Sequence, residues 1–310
     1  MKNTDKRIIV AGGTGLIGQE LVAQLVLLGY HVVVLSRAPG KVNTFFNSNL
    51  VSEKLWLGTF TSQLTQDIEN SYAVINLAGE NISGKRWTNK RQKELTQSRI
   101  TTTQALAKAC AAAIKQPEVF IQASAIGYYP FQPSSTVYTE KSEPGTGFLS
   151  NLTVKWEAAV KNELPQSIRL VTIRTGVVLS AKGGMYPKLL LPIKLFAGGW
   201  FGNGNQNTAW IHITDHVNAI IHLLKTSTAT GPYNLVSPEL VTQKELVKII
   251  AKKQKRSAFM PIPSPIVKLI FGEMATEILL NGAKVSANKL IDSGFSFSFP
   301  SIKEAVNSLN

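Results

Sequence analysis

Cysteine is almost absent: Cys110 is the single one among 310 residues, which excludes a disulfide within the chain. Acidic residues are scarce beside basic ones, 19 against 33, and the formal charge is +14. No apolar run approaches the roughly 18 residues of a membrane span. The first residues, Met1-Lys2-Asn3-Thr4-Asp5-Lys6-Arg7, hold no apolar stretch that would read as a targeting segment. His, Cys, Asp and Glu never fall at metal-ligand spacing, so no metal is expected. Internal repeats and low-complexity tracts are also missing. Together these absences predict a soluble, cytoplasmic protein with neither a metal nor a membrane partner. Cys110 shares a helical face with Ile100, Thr103, Ala107 and Ile114 and reads as a packing residue.

The basic excess raises nucleic acid as a partner. Its densest run, Lys252-Lys253-Gln254-Lys255-Arg256, closes a helix that opens with the capping pattern Thr242-Gln243-Lys244-Glu245. Cations at a helix C-terminus suit the helix dipole. No aromatic residue interleaves with them to stack a base, so nucleic acid is not the expected partner. The charge is read instead as serving an anionic cofactor and an anionic substrate.

What the chain does have begins at Lys6. An apolar run, Ile8-Ile9-Val10, leads into Gly12-Gly13-Thr14-Gly15-Leu16-Ile17-Gly18, and Leu21, Leu25 and Leu28 follow at helical spacing. The glycines fit G-x-G-x-x-G (Gly13, Gly15, Gly18) and also G-x-x-G-x-x-G (Gly12, Gly15, Gly18). Either spacing brings bare backbone beside a pyrophosphate at a helix N-terminus, where unpaired N–H groups and the dipole favour negative charge. His31 to Leu35 then reads as a second strand. An NAD site usually ends that strand on an acidic residue, which accepts hydrogen bonds from the ribose. Here Ser36-Arg37 stands in its place, a hydroxyl beside a fork-shaped cation that suits a 2'-phosphate. NADP is therefore expected over NAD.

Strand-like and helical runs alternate up to Arg174, which predicts an α/β fold: a Rossmann-type, doubly wound parallel sheet of six or seven strands. The strands are read at 8–10, 31–35, 73–77, 119–123, 170–174, 210–212 and 233–235, with a helix from about Ser98 to Ile114. Residues 1–180 plus 209–236 are assigned to a dinucleotide-binding domain. Residues 181–208 plus 237–310 are assigned to a smaller, mostly helical substrate-side lobe, with a second capping pattern at Ser301-Ile302-Lys303-Glu304.

Several stretches carry a family resemblance over nearly the whole chain. They are Gly12 to Gly18; Val74 through Asn81; Arg86-Trp87; Ser98-Arg99 with Thr102; Ser124 through Tyr128-Tyr129; Lys155-Trp156-Glu157; Arg174 to Leu179; Trp210-Ile211-His212-Ile213; and Gly294-Phe295. In their order and number, the chain resembles the atypical extended short-chain dehydrogenase/reductases known as epimerase family proteins, which are NAD-dependent epimerase/dehydratase-like with a short C-terminal domain of their own. The resemblance implies that Leu77, Ala78 and Gly79 line the cofactor and that Arg99 reaches a phosphate. It also implies that Glu94 positions Arg99 or a ribose, and that the backbone of Val177 meets the nicotinamide amide.

One superfamily feature is missing. Related enzymes use Tyr-x-x-x-Lys to tune a tyrosine for proton transfer. Through the helix at 151–157 those positions fall on Leu152 and Trp156, and shifting the register to reach Lys155 puts Asn151 at the tyrosine. Ser124, Tyr128 and Tyr129 remain as candidate catalytic hydroxyls. His212 reads as a strand-end residue, and the glycine- and amide-rich Gly198 to Gln206 as a loop over a polar substrate. The leading reading is an NADP-dependent oxidoreductase or epimerase acting on an unidentified small molecule. A non-catalytic NADPH-binding regulator is the alternative, an RNA-binding relative the weaker one, and homodimer formation stays open.

Overall fold

Continuous apolar strands need cover on both faces, and that requirement organises the chain. The computed structural model describes residues 6–38, 40–131 and 135–309, so the residues 1–5 read above lie outside it. The first half runs β1 (Arg7–Ala11), α1 (Leu16–Leu27), β2 (His31–Ser36), β3 (Val51–Leu55), α2 (Ser62–Ile68), β4 (Ala73–Asn76), α3 (Asn89–Ala112) and β5 (Val119–Ala125). There follow β6 (Val137–Tyr138), α4 (Phe148–Lys161), β7 (Arg169–Thr175), β8 (Val177–Ser180), β9 (Gly183–Gly184), α5 (Met185–Lys194), β10 (Asn207–Thr208), β11 (Trp210–His212), α6 (Ile213–Lys225) and β12 (Gly231–Leu235). The remainder is mainly helical: β13 (Val241–Thr242), α7 (Gln243–Lys253), α8 (Ser264–Phe271), a π-helical turn at Ala275–Leu279, β14 (Lys284–Val285), α9 (Asn288–Asp292) and α10 (Ile302–Ser308).

Seven strands form one sheet in the order β12-β7-β5-β4-β1-β2-β3, every pairing parallel. Alternate residues of β1 face opposite ways. Ile8 and Val10 pack with Leu21 and Leu25 of α1 and Ile220 and Leu224 of α6, while Ile9 packs with Leu64, Leu106 and Cys110 beneath α2 and α3. Because β1 lies between β2 and β4, successive crossovers leave it toward opposite edges, and a crevice opens there beyond the carboxyl ends. No helix among the described residues is long and apolar enough to cross a membrane.

Three elements differ from the sequence reading. The seventh strand of the sheet is β3, not 210–212: its sequence Val-Ser-Glu-Lys-Leu has no apolar run because an edge strand is covered on fewer sides. Trp210–His212 pairs instead with β8 in a separate three-stranded sheet. Helix α3 starts at Asn89, where the Thr88 side chain accepts a hydrogen bond from Arg91 N–H, and its polar first turns show no apolar period because they lie near solvent. That helix stops at Ala112, so Ile114 lies beyond it at 93% exposure while Cys110 is fully buried. Both capping patterns form as read, at Thr242 and at Ser301.

The C-terminal segment is tied to the sheet by a buried carboxylate at the start of α6. Asp215 accepts the N–H of Ser298 at 2.8 Å and of Phe299 at 2.9 Å. In Asp215→Asn one oxygen becomes an amide that cannot accept. Chemical unfolding should then show a loss of about 1.5–3 kcal/mol, the range for hydrogen bonds to a charged group; an unchanged midpoint would show that these contacts do not hold the segment.

Candidate dinucleotide and substrate site

The glycine loop fits its turn only without side chains. Gly12 has φ +80°, and a Cβ there would lie 2.7 Å from the Leu77 carbonyl carbon; one on Gly18 would meet Gly12 O at 2.2 Å. A Cβ on Gly13 would press Val34 at 2.8 Å, and one on Gly15 would meet Gly12 O at 3.3 Å. Gly15 N–H closes the turn onto Gly12 O at 3.0 Å and caps α1, with no side-chain cap and no acid in the first turn. The first helical N–H groups therefore face the crevice without a competing carboxylate. Ile17 packs partly buried against the core, and Leu16 rests against Gly183 of β9.

Beside the loop lies a cavity of about 420 Å³. Thr14, Ser36, Arg37, Leu77, Ala78 and Gly79 line it, as the sequence reading has them. Trp56 and Gly58 after β3 and Gln97, Thr101 and Thr102 of α3 also line it, and the sequence reading assigned them no place there. Ser36 Oγ makes a local turn, accepting Ala38 N–H at 3.2 Å. The Arg37 guanidinium is 77% exposed and lies 3.4 Å from Glu80, whose second oxygen meets Arg91 at 3.3 Å. Glu94 is exposed and accepts from Arg91 at 3.1 Å, away from the cavity lining. Arg99 is buried, and burial pulls its pKa down to about 10. Its N–H groups donate to the carbonyls of Leu95 at 3.0 Å and Glu80 at 2.9 Å, so it braces the loop after β4.

Two of the three candidate hydroxyls, Ser124 and Tyr129, belong to a buried network, and half-buried Tyr128 adjoins it through its ring. Ser124 donates to Glu157 at 2.7 Å, and Arg174 grips the same carboxylate with Nε at 2.8 Å and Nη2 at 2.9 Å. Arg174 Nη1 donates to Tyr129 Oη at 3.0 Å, and that hydroxyl donates to Asn234 at 2.7 Å. Burial pushes the Tyr129 pKa up to about 12, against the lowering effect of Arg174. For Arg174, burial works downward, but the bonds and charge of Glu157 outweigh it and the net shift is upward. The Tyr128 ring lies under the Arg174 guanidinium at 3.5 Å. In the sequence Glu157 and Arg174 stand out only as parts of the family stretches, because α4 also carries Lys155 and Lys161 and β7 also carries Arg169. Leu152 and Trp156, at the positions of the missing Tyr and Lys, are buried, and Trp156 Nε1 donates to Thr103 at 3.0 Å.

Next to this network, at the ends of β5 and β7, is a cavity of about 170 Å³. Ala125, Thr175, Val177, Met185, Ile278 and Ala283 are among its walls, and no charged side chain lines it. Its Gln206 amide is already bound to Phe201 O, Gln243 and Leu279 O at 2.6–3.1 Å. Thr175 Oγ1 lies 2.9 Å from Nε2 of fully buried His216, whose pKa burial lowers to about 3. Val177 lines the cavity, but its N–H is taken by Ala209 O at 2.8 Å. His212 is buried at its strand end, accepting Thr214 N–H and facing Ser308.

The sequence model of the NAD dependent epimerase/dehydratase family matches residues 8–236, and a domain of unknown function, DUF1731, matches residues 262–309. Epimerase family protein SDR39U1 of Homo sapiens is 36% identical over 308 residues, 98% of this chain and 99% of its own. Epimerase family protein SAR0825 of Staphylococcus aureus (strain MRSA252) is 33% identical over 308 residues, with the same coverage of 98% and 99%. The crystal structure of human SDR39U1 (isoform2) with NADPH matches at a TM-score of 0.87, covering 98% of each chain. UDP-N-acetylglucosamine 4-epimerase from Bacillus cereus shares the fold at 17% identity, TM-score 0.76, over 98% of this chain and 94% of its own.

Removing one partner of the buried ion pair leaves the other charge unpaired. Glu157→Ala should lower stability by about 3–5 kcal/mol in urea unfolding. A loss below about 1 kcal/mol, the scale of a surface pair, would mean that solvent reaches Arg174.

Proposed function

This chain belongs to the NAD dependent epimerase/dehydratase family, and from that premise we propose that it is an NADP(H)-binding oxidoreductase for a small, uncharged carbonyl or hydroxyl compound. The observation that carries the reading is a pair of cavities with different linings. Beside one lie the glycine turn, where a Cβ on Gly12, Gly13 or Gly18 would clash, and the Ser36-Arg37 strand end; the other, at the ends of β5 and β7, has no charged side chain among its described lining residues. The NADPH-bound structure of human SDR39U1, aligned over 98% of each chain, supports the choice of cofactor.

The glycine turn admits a pyrophosphate to the N–H groups of α1. Arg37 is held only by an exposed ion pair with Glu80, worth about 0–1 kcal/mol, and a 2'-phosphate displaces that pair readily. Arg99 acts through the loop it braces. Bound NADPH supplies a hydride.

Proton transfer is where this chain departs from its superfamily. The hydroxyl protons of Ser124 and Tyr129 are committed to Glu157 and Asn234. With a pKa near 12, Tyr129 stays protonated across the working range. Solvent then supplies the proton. A tuned general acid is worth roughly 10²–10⁴ in rate, so turnover should be slow beside that of relatives with the Tyr-Lys pair. The regulator is the second reading, and the burial of Leu152 and Trp156 where that pair would stand favours it.

Loss of one charge-assisted contact to phosphate costs about 1.5–3 kcal/mol, or roughly ten- to a hundredfold in affinity. Titration calorimetry of Arg37→Ala should show a loss of that size for NADPH and almost none for NADH; equal losses would remove Arg37 from phosphate recognition. Multiple-turnover consumption of NADPH with small neutral aldehydes and ketones tests the reaction. Tight NADPH binding with no consumption across such a panel would decide for the regulator.

A further inference from the structure

Helix α8 faces the wrong way for a core helix. Of its eight residues only Val267 is buried, whereas Ile266, Leu269 and Ile270, spaced three and four apart on one stripe, are 48%, 74% and 56% exposed. A second exposed apolar set lies at the end of α5 and just beyond it: Leu191, Leu195 and Phe196, each more than 60% exposed. Phe259 and Met260 lie between the two sets, also turned to solvent. The segments run side by side. Ile262 N–H donates to Trp200 O at 2.7 Å, Gly202 N–H returns to Ile262 O at 2.8 Å, and Arg256 lies over the Phe196 ring at 4.1 Å.

The charges of the two segments are mostly of one sign. Lys194, Lys252, Lys255, Arg256 and Lys268 are exposed, the stretches 183–214 and 246–272 contain no Asp or Glu, and exposed Glu273 just past α8 accepts a hydrogen bond from Gln92. A two-fold contact with a second copy would set these cations against themselves. A base-stacking surface needs open aromatic faces, but most of the side chains are aliphatic and Arg256 covers Phe196. Apolar side chains projecting among lysines, with no acid in either stretch, match the layering of an anionic lipid surface, phosphate outside and acyl chain beneath.

We propose that this face docks the protein on the surface of an anionic phospholipid bilayer, the apolar side chains entering the headgroup boundary and the cations meeting the phosphates. This revises the expectation of no membrane partner. The face is assembled from two separate segments, so no long apolar run announces it, and docking needs no spanning helix.

Co-sedimentation of the full chain with vesicles tests the proposal. Vesicles of phosphatidylglycerol mixed with phosphatidylcholine should bind at least tenfold more tightly than phosphatidylcholine alone, and high salt should release the protein. Leu195→Asp combined with Leu269→Asp should abolish binding while leaving the melting temperature and NADPH affinity unchanged. Leu27→Asp, at a 77% exposed apolar site on α1, should bind like the unaltered protein. The proposal fails if anionic vesicles do not bind, if the double variant binds as well as the parent, or if the double variant instead abolishes a dimer or RNA binding that the parent shows.

Discussion

Two opposite charges, Glu157 of α4 and Arg174 of β7, are buried together near the carboxyl ends of β5 and β7, and the shape of the site depends on them. Taking each ion out of water costs several kcal/mol, recovered only where nearly every donor and acceptor is satisfied. Glu157 meets that condition by accepting from Ser124 and twice from Arg174, and Arg174 by donating also to Tyr129 and to Glu140 O. The network thereby joins α4 to β5, β7 and, through Asn234, β12. It also engages the hydroxyls of Ser124 and Tyr129, two of the three candidates for catalysis. Strand ends held this rigidly form a fixed wall for a ligand, but their protons are not available to one.

Charge is distributed unevenly over the rest of the molecule. At the mouth of the dinucleotide crevice Arg37 and Arg91 are matched by Glu80 and Glu94, so the net charge of +14 is not gathered there. The α5 and α8 segments carry cations, and the acid nearest them in sequence is Glu273, just past α8. The cavity at the ends of β5 and β7 has no charged side chain among its described lining residues.

The beginning of the fold was legible because it depends on residues close in sequence. A buried parallel strand reads as Ile8-Ile9-Val10, a tight turn to a helix as Gly12 to Gly18, and a helix start as Thr242 with Glu245, whatever lies elsewhere. Cys110 could be read as packing because its neighbours on the helix are themselves close in the chain. Edge strand β3 and the first turns of α3 were not legible: solvent covers one side of each, and an apolar period records burial only.

By itself the sequence determined the first strand, the glycine turn and the helix after it, the Ser36-Arg37 pair at the end of β2, and the lack of a Tyr-Lys pair. Tertiary structure alone decided that Trp210–His212 leaves the main sheet and that Glu157 finds Arg174. It also decided that Arg37 rests on Glu80 and that the apolar stripe of α8 points outward. The physical reason is the same in each case. Backbone preference and side-chain period act over a few residues, whereas the partner of a buried charge or an edge strand is chosen by which distant segment packs against it, and that is settled only when the whole chain has folded.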